Sequence, residues 1–578
     1  MMKKLLRGAF AALFALGCLS VGALAAGEGF STVRVDLAPD AGLHMSWHEQ
    51  EMLRLRYADD KAPVPLSFYY DGSVFGTVPD VWKGRPVEAY QAEGLQFTDS
   101  TAESSYRFHW LMELSRTGVI TGNGKGEALP GQPITRAEAA AILVRALGVP
   151  MADGAASGYR DVPADAWYAP AVATAKEYGI VAPDTSFAPD RLVSREELVT
   201  MAARMFARLG MARLDPDAAP GTLYQDADDI SGWARPAYAE FEITSYAYSQ
   251  TKTDEEGAPL VSYYAYPQQP ATREDAAELL GRNMENRPCY PSAAARAFGF
   301  DQAMPSIDGS TSTHPFTDAV YGALFRNGTH HPQYPAKHSK SHASYERLIN
   351  GEVDMLFASV YPASDILALA KEKGVELELI PIAYDAMVFF TNVGNPATGL
   401  TSKQISSIYV NNAYGNWSAL GGPDALLYPY CRNNDSGSHA QMERHFLDGH
   451  EIHPAIRAET TSLSMQSVLT DVISAETQEP RGYGLGYSIY YYFWNADTVL
   501  GTAHDLKLLA VDGVAPTDET IADGSYPLSN NTYVVLRADT PAGAPARQMA
   551  DFMLTEAGQD CVRSAGFGPL SPAALDAH

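Results

Sequence analysis

Two short segments of the chain combine hydroxyl groups, backbone donors and charge in a way that suits an oxyanion. Asp308-Gly309-Ser310-Thr311-Ser312-Thr313-His314-Pro315 sets four consecutive hydroxyl side chains after a glycine. A predicted helix follows directly, with Phe316, Val320, Tyr321 and Leu324 as its apolar positions. Arg432-Asn433-Asn434-Asp435-Ser436-Gly437-Ser438 places an arginine ahead of a Ser-Gly-Ser turn, with a predicted helix from His439 to Leu447. Helix N-terminal amides and short hydroxyls donate to oxyanions, and arginine adds charge and a planar fork. Either segment alone reads equally well as a Ser/Thr cap with a turn. Both together in one α/β region point to a binding site.

A third pattern recurs along the chain as Thr135-Arg136-Ala137-Glu138, Ser194-Arg195-Glu196-Glu197 and Thr272-Arg273-Glu274-Asp275. The hydroxyl residue and the acid three positions on predict a capping box at the start of a helix. The arginine is harder to place, because a cation in the first turn opposes the helix dipole unless an acid answers it. Its threefold recurrence predicts a ligand for the guanidinium. Enzyme chemistry finds no comparable footing. The 14 histidines form no metal-ligand spacing, and His330-His331, His338 and His342 read as solvated loop residues. Ser436-Gly437-Ser438 lacks the glycine that a nucleophile elbow needs. Gly482-x-Gly484-x-Gly486 reads as turn material without a following helix. The expectation is a protein that is not an enzyme, with no catalytic residue, metal or cofactor.

The elements around the three arginines repeat at a spacing of about sixty residues. The first copy opens with Phe97-Thr98-Asp99, passes through Gly118-Val119-Ile120 and ends in Ile134-Thr135-Arg136-Ala137-Glu138 and an apolar helix through Leu147. The second has Tyr159-Arg160-Asp161-Val162, Trp167-Tyr168 and Gly179-Ile180-Val181. The third has Tyr224-Gln225-Asp226-Ala227 and Trp233, with a Tyr-rich insertion from Tyr246 to Tyr266. These copies resemble S-layer homology (SLH) repeats. The resemblance implies an α-helical three-repeat spindle that holds a secondary cell-wall polymer. Carried over, Arg136, Arg195 and Arg273 are the polymer-binding candidates, with Asp99, Asp161, Asp226, Trp167 and Trp233 lining the same grooves. The second and third copies lose the Ala of the motif, so equal use of all three grooves does not follow.

Beyond Phe300 short apolar strands alternate with amphipathic helices, which predicts a mainly parallel α/β sheet. Val353–Ala358, Val375–Ile382 and Met387–Thr391 read as separate strands, and Ser364–Lys373 as a helix ended by Gly374. The two donor-rich segments resemble, at matching places, those of the phosphate-binding proteins of ABC importers. Asn416-Trp417-Ser418, Gly484-Leu485-Gly486-Tyr487 and Gly566-Phe567-Gly568-Pro569 extend that likeness. It implies a two-lobe periplasmic-binding-protein-like fold that closes on its ligand, the second lobe being roughly Val388 to Gly486. Ser312, Thr313, His314 and Ser341 would donate from one lobe, and Arg432, Ser436, Gly437 and Ser438 from the other. Phosphate-selecting members place an Asp just after the strand at Val353 to Ser359. Here Ser359-Val360-Tyr361-Pro362 stands there, with no carboxylate until Asp365. Discrimination between protonated phosphate and fully deprotonated anions should therefore be lost unless Asp354 or Asp435 takes that part.

The rest of the chain sets the compartment. Met1-Met2-Lys3-Lys4, Arg7, an apolar run from Ala9 to Ala23 and Ala23-Leu24-Ala25 read as a cleavable signal peptide. Ala15-Leu16-Gly17-Cys18 only loosely fits a lipoprotein box, so release by cleavage is the preferred reading. Cys289, Cys431 and Cys561 would remain, which allows one disulfide and a free thiol. Residues from the signal to about Leu95 alternate in polarity, with an Asp71-Gly72 turn, and predict strands. A net charge of −27, from 69 acidic and 42 basic side chains, disfavours nucleic acid as a partner.

The expected divisions of this multidomain chain are a signal peptide at 1–26, a small N-terminal β module at 27–95 and SLH repeats at 96–152, 153–213 and 214–287. A linker at 288–304 and a solute-binding domain at 305–578 complete it. Together these imply a cell-wall-associated extracellular protein that captures phosphate or another anion, with an ABC transporter permease as the implied partner. A structural S-layer or adhesive protein, whose binding-protein-like domain has lost or changed its ligand, is the alternative. The intact Arg432–Ser438 motif favours the first.

Overall fold

The computed structural model describes residues 19–20, 29–37, 45–100, 105–151, 157–221, 223–241, 248–253, 259–434, 436–478, 480–500 and 504–575. Most of the expected signal peptide, Cys18 and Asp435 lie outside the described residues. The chain divides into two units, Met1–Ala293 with Phe325–Pro332, and Ala294–Leu324 with Gln333–His578.

In the first unit, strands β1 (Phe30–Asp36), β2 (Leu53–Tyr57), β3 (Ser67–Tyr70), β4 (Ser73–Pro79) and β5 (Val87–Gln91) come first. β4 pairs antiparallel with β1 and β3, and β2 pairs with β5. The β3–β4 turn is tight because Asp71 and Gly72 both take positive φ, 44° and 79°, the geometry that an Asp-Gly hairpin turn supplies. Val33, Val35, Leu53, Leu55, Val74 and Val78 form the apolar interior.

The repeats follow as helices α1 (Ser105–Ser115), α2 (Arg136–Leu147), α3 (Ala169–Glu177), α4 (Arg195–Arg208), α5 (Arg235–Phe241) and α6 (Arg273–Asn286). α2, α4 and α6 each begin with a complete capping box: Thr135 with Glu138, Ser194 with Glu197, and Thr272 with Asp275. The residues just before these caps form a closed ring of backbone hydrogen bonds. Ile134 N–H donates to Ala271 O (3.0 Å), Ala271 N–H to Val193 O (2.9 Å), and Val193 N–H to Ile134 O (3.0 Å). α1 lies against α6 where Gly281 leaves room for Trp110; a Cβ there would come within 2.1 Å of the indole. The Tyr-rich insertion holds an antiparallel hairpin, β6 (Tyr248–Thr253) with β7 (Pro259–Tyr264). In the stretch expected as a linker, Tyr290–Pro291 pairs with Phe325–Arg326, and Ala293–Ala297 is helical.

The second unit contains β8 (Ile307–Gly309), α7 (His314–Leu324), α8 (Ser341–Ile349), β9 (Met355–Ala358), α9 (Ser364–Lys373) and β10 (Leu377–Asn392). After these come β11 (Leu426–Pro429), α10 (Gly437–Met442), α11 (Met465–Ala475), β12 (Gly482–Ile489), α12 (Tyr490–Leu500), β13 (Leu506–Val511) and β14 (Ser529–Arg537). The sheet is mixed rather than mainly parallel. β8 runs parallel to β9, and β11 to β12, whereas β10 pairs antiparallel with β12, β13 and β14.

The two strands expected at Val375–Ile382 and Met387–Thr391 are one. β10 stays extended through Tyr384-Asp385 because Asn530 and Asn531 of β14 continue the ladder there. Its first part belongs to one lobe and its end to the other. The second lobe's apolar cluster runs from Ala386 to Leu528, so that lobe extends well past Gly486. Gly482-x-Gly484-x-Gly486 is strand, not turn, and α12 follows it. The glycines let α11 sit on β12, since a Cβ on Gly484 or Gly486 would come within 2.9 Å or less of Val472. Cys289, Cys431 and Cys561 are all buried and unpaired. Cys289 lies in the first unit and Cys431 in the second, and no disulfide forms among the described residues.

Candidate functional site

The segment Asp308–Pro315 leaves the end of β8 and turns into α7. Its hydroxyls gather with one from the end of β9: Ser310 Oγ is 2.9 Å from Ser312 Oγ, and Ser312 Oγ is 3.1 Å from Ser359 Oγ. Gly309 is required by the close approach of β9, where a Cβ would stand 2.2 Å from Phe357 O. Thr313 stays with this cluster, its Oγ1 accepting from Ser310 Oγ at 3.2 Å, whereas His314 turns away from it. Thr313 Oγ1 donates to Phe357 O at 2.7 Å, and the His314 ring engages Pro335 O at 2.9 Å. His338, expected in solvent, is buried, with Nδ1 2.9 Å from Ser310 O and Nε2 3.0 Å from Thr317 Oγ1. Burial pushes its pKa down, so the ring is neutral and acts as a brace for the loop.

From the other lobe, Arg432 is 5% exposed. Its backbone N–H donates to the Tyr487 hydroxyl (2.9 Å) and its Nε to Ser462 O (3.2 Å). Nη1 has no partner, and no carboxylate described in the structure is paired with this guanidinium. The other arginines buried to this degree differ: Arg54 pairs with Glu113, Arg195 with Asp275 and Arg287 with Glu240. Burial alone pushes the Arg432 pKa down. Ser436 caps α10, its Oγ accepting His439 N–H at 3.2 Å. Ser438 Oγ is buried with no partner.

The two sides converge at Gly437, where an added Cβ would lie 2.9 Å from Ser341 Oγ and 3.1 Å from Val360. Among the described residues, Asp354 and Asp365 do not enter this cleft as acceptors. Asp354 is taken by Ser306 N–H and Oγ (2.8 and 2.6 Å), and Asp365 by His342 at 2.7 Å.

At the repeat junctions the guanidiniums already have acidic partners, which overturns the premise that they need a ligand. Arg136 meets Glu197 at 2.6 Å, Arg195 meets Asp275 at 3.3 Å, and Arg273 meets Glu138 at 3.3 Å. Each partner is the acid of the next repeat's capping box, so three caps and three ion pairs close one cycle. Asp99, Asp161 and Asp226 are likewise occupied. Asp99 accepts the Ala128 and Leu129 amides (2.9 and 2.8 Å), Asp161 those of Phe187 and Ala188 (2.7 and 2.8 Å), and Asp226 those of Ala265 and Tyr266 (both 2.8 Å). The second residue of each pair has positive φ, at 51°, 57° and 44°. Each carboxylate thus sits in a small concavity of paired amides that pins an unfavourable backbone turn. Burial would raise the Asp99 and Asp161 pKa values, but these amides outweigh it and hold both down.

Trp167 and Trp233 are unlike the acids, at 63% and 53% exposed. A groove of about 330 Å³ runs beside Trp233, lined also by Arg191, Ser194, Glu196, Glu197 and Gln268.

Comparison with known proteins matches both regions. Residues 96–140 and 158–199 match the S-layer homology domain, and residues 299–557 match the PBP superfamily domain. The chain carries S-layer homology domains and a PBP superfamily domain. Protein SphX of Synechococcus elongatus is 25% identical over 287 residues, 48% of this chain and 80% of that protein. Phosphate-binding protein PstS of Borreliella burgdorferi is 26% identical over 271 residues, 46% of this chain and 90% of that protein. The Surface-layer 125 kDa protein of Lysinibacillus sphaericus is 30% identical over 202 residues, 35% of this chain but 16% of that protein. Within the PBP superfamily domain, Ser359 and His338 are cleft residues that the sequence did not offer as donors, and Ser310 is one that it offered only as part of the Asp308–Pro315 run. The run of hydroxyls and the position after β9 were the available signals for the two serines. Nothing in the local sequence marks His338, because its burial depends on how the loop folds back over α7.

Proposed function

We propose that this chain is an exported, cell-wall-associated solute-binding protein. Its S-layer homology region holds a secondary cell-wall polymer, and its PBP superfamily domain captures phosphate or a related oxyanion for an ABC importer. The observation that carries the anion reading is Arg432, a buried guanidinium that has no carboxylate and no partner for Nη1 among the described residues. Leaving a charge buried and uncompensated is costly, and an anion is the group that would offset it. Ser312 and Ser438 with their neighbours Ser310 and Ser359 supply neutral donors, Ser341 and Gly437 mark where the lobes meet, and Ser436 shapes the turn. Local donors of this kind are needed in a chain of net charge −27, whose overall field opposes anions. The Phosphate-binding protein PstS relative supports the ligand class.

Polymer binding is supported by the S-layer homology matches and by the exposed Trp167 and Trp233. In this reading Arg136, Arg195, Arg273, Asp99, Asp161 and Asp226 build the groove walls first, and the tryptophans offer the contact surface.

Thermal unfolding of the full chain in inorganic phosphate or sulfate tests the anion reading. Ligand at one hundred times Kd should stabilise the second unit by about 2.7 kcal/mol. Arg432→Ala should abolish that gain while leaving the ligand-free protein as stable or more so, because it removes an unpaired buried charge. A gain that survives Arg432→Ala sinks the assignment.

A further inference from the structure

Asp385 is fully buried on β10 where the chain passes between lobes. Oδ1 accepts the Ala386 N–H at 2.8 Å and the Tyr491 N–H at 3.5 Å, while Oδ2 has no partner. Its antiparallel neighbour is Asn530, so the two side chains leave the same face of the sheet. Asn530 Nδ2 donates to Ser359 O at 3.3 Å, and Ser359 Oγ belongs to the hydroxyl cluster of the cleft. Asn530 Oδ1 is also unpartnered, as is Thr532 Oγ1, whose neighbour Ala383 shares that face. Unsatisfied buried polar atoms therefore run from Asp385 to Asn530, which is bonded to the Ser359 backbone. Such groups are costly unless something completes them.

The charged surroundings of Asp385 are plain. α12 brings Tyr491, whose hydroxyl donates to Asp518 at 3.1 Å. Tyr487 of β12 is engaged with the Arg432 amide, Lys507 of β13 lies opposite Thr391, and Arg547 pairs with Glu378 near the start of β10. None of these cations neighbours Asp385. Burial without a cation pushes the carboxyl up to about 8.

We infer that Asp385 is a positioning and specificity-determining residue of the cleft, its protonated side chain completing, with Asn530, the floor beneath Ser310, Ser312 and Ser359, so that oxyanion binding is coupled to the proton on Asp385. The inference rests on the oxyanion reading above. It supplies a protonated carboxyl, a donor, to a site in which neither Asp354 nor Asp365 is free to accept a ligand proton. The cleft should then favour fully deprotonated anions over singly protonated phosphate. A bound anion and an ionised Asp385 would repel each other in a desolvated site, so each disfavours the other.

The test is the pH dependence of sulfate binding to the full chain, because sulfate itself does not titrate between pH 6 and 10. The group's folded value is raised, so affinity should be complete below about pH 8 and fall above it. The limiting slope is about tenfold per pH unit for one linked proton. Asp385→Asn keeps the acceptor for Ala386 N–H but has no titratable proton, and should bind sulfate with a flat profile over that range. Should the variant misfold, calorimetry of the unaltered chain at pH 8 in two buffers of different ionisation enthalpy gives the same answer, with a fraction of a proton taken up per sulfate. A flat profile and no proton uptake in the unaltered chain overturn the inference while leaving the oxyanion reading intact. A fall that persists in Asp385→Asn assigns the proton elsewhere and also overturns it. Failure of both sulfate and inorganic phosphate to bind at any pH overturns the reading on which it rests.

Discussion

Replacing Arg195 by alanine separates a structural from a ligand-binding role for the arginines that follow the helix caps. The Arg195–Asp275 pair is the most buried of the three, at 8% and 5% side-chain exposure. Removing one member of a buried pair costs about 3–5 kcal/mol, because the other charge is left uncompensated. Asp275 keeps the Thr272 N–H at 2.7 Å and the favourable end of the α6 dipole, which places the expectation near the lower limit, about 3 kcal/mol. Arg273 faces Glu138, which is 30% exposed and able to rehydrate, so Arg273→Ala should cost about 1 kcal/mol or less.

Amide hydrogen exchange on the full chain reads both changes locally, in peptides covering α4 and α6. Arg195→Ala should speed exchange there by about a hundredfold and Arg273→Ala by about fivefold or less, taking 1.36 kcal/mol per decade. Trp233→Ala is the counterpart: being half exposed, it should leave exchange unchanged and weaken sedimentation with purified cell walls. If Arg195→Ala leaves exchange in α4 and α6 as it was but abolishes wall binding, the guanidinium serves a ligand, and the account given for the ion-pair cycle is wrong.

Gly437→Ala should impede closure of the cleft, since the new methyl would meet Ser341 Oγ and Val360 at about van der Waals contact or closer. Overpacking of this kind costs about 1–3 kcal/mol, so titration with inorganic phosphate should show binding weaker by about fivefold or more with the apo melting temperature unchanged. Acid should loosen the repeat junctions before the apolar cores. Asp99, Asp161 and Glu197 have depressed pKa values in the folded chain, so their contribution is present above the ordinary carboxylate range and is lost as pH falls through the folded values. Below about pH 4, exchange protection at Ala128, Leu129, Phe187 and Ala188 should fall while that of the α2 interior persists; equal protection at pH 3 and pH 6 would refute this.

Local signals carried much of the architecture. The three capping boxes, the Asp71-Gly72 turn, the Gly374 terminus of α9 and the apolar face of α7 were all legible, because each depends on residues within a few positions of one another. The Arg432–Ser438 motif was legible for the same reason, since its spacing alone sets a guanidinium beside a turn.

What only the tertiary structure decided are relations across long separations. Glu197 answers Arg136 from 61 residues away, and Asp161 pins amides 26 and 27 residues on. No window of sequence shows that a cation after a cap has its counter-ion in the next repeat; the closed threefold ring of backbone hydrogen bonds brings them together. Burial acts in the same way. Gly482–Ile489 is a strand because a helix lies against it, His338 is a brace because its loop folds back over α7, and the Asp385 carboxyl has its pKa pushed up because β14 and α12 remove it from water.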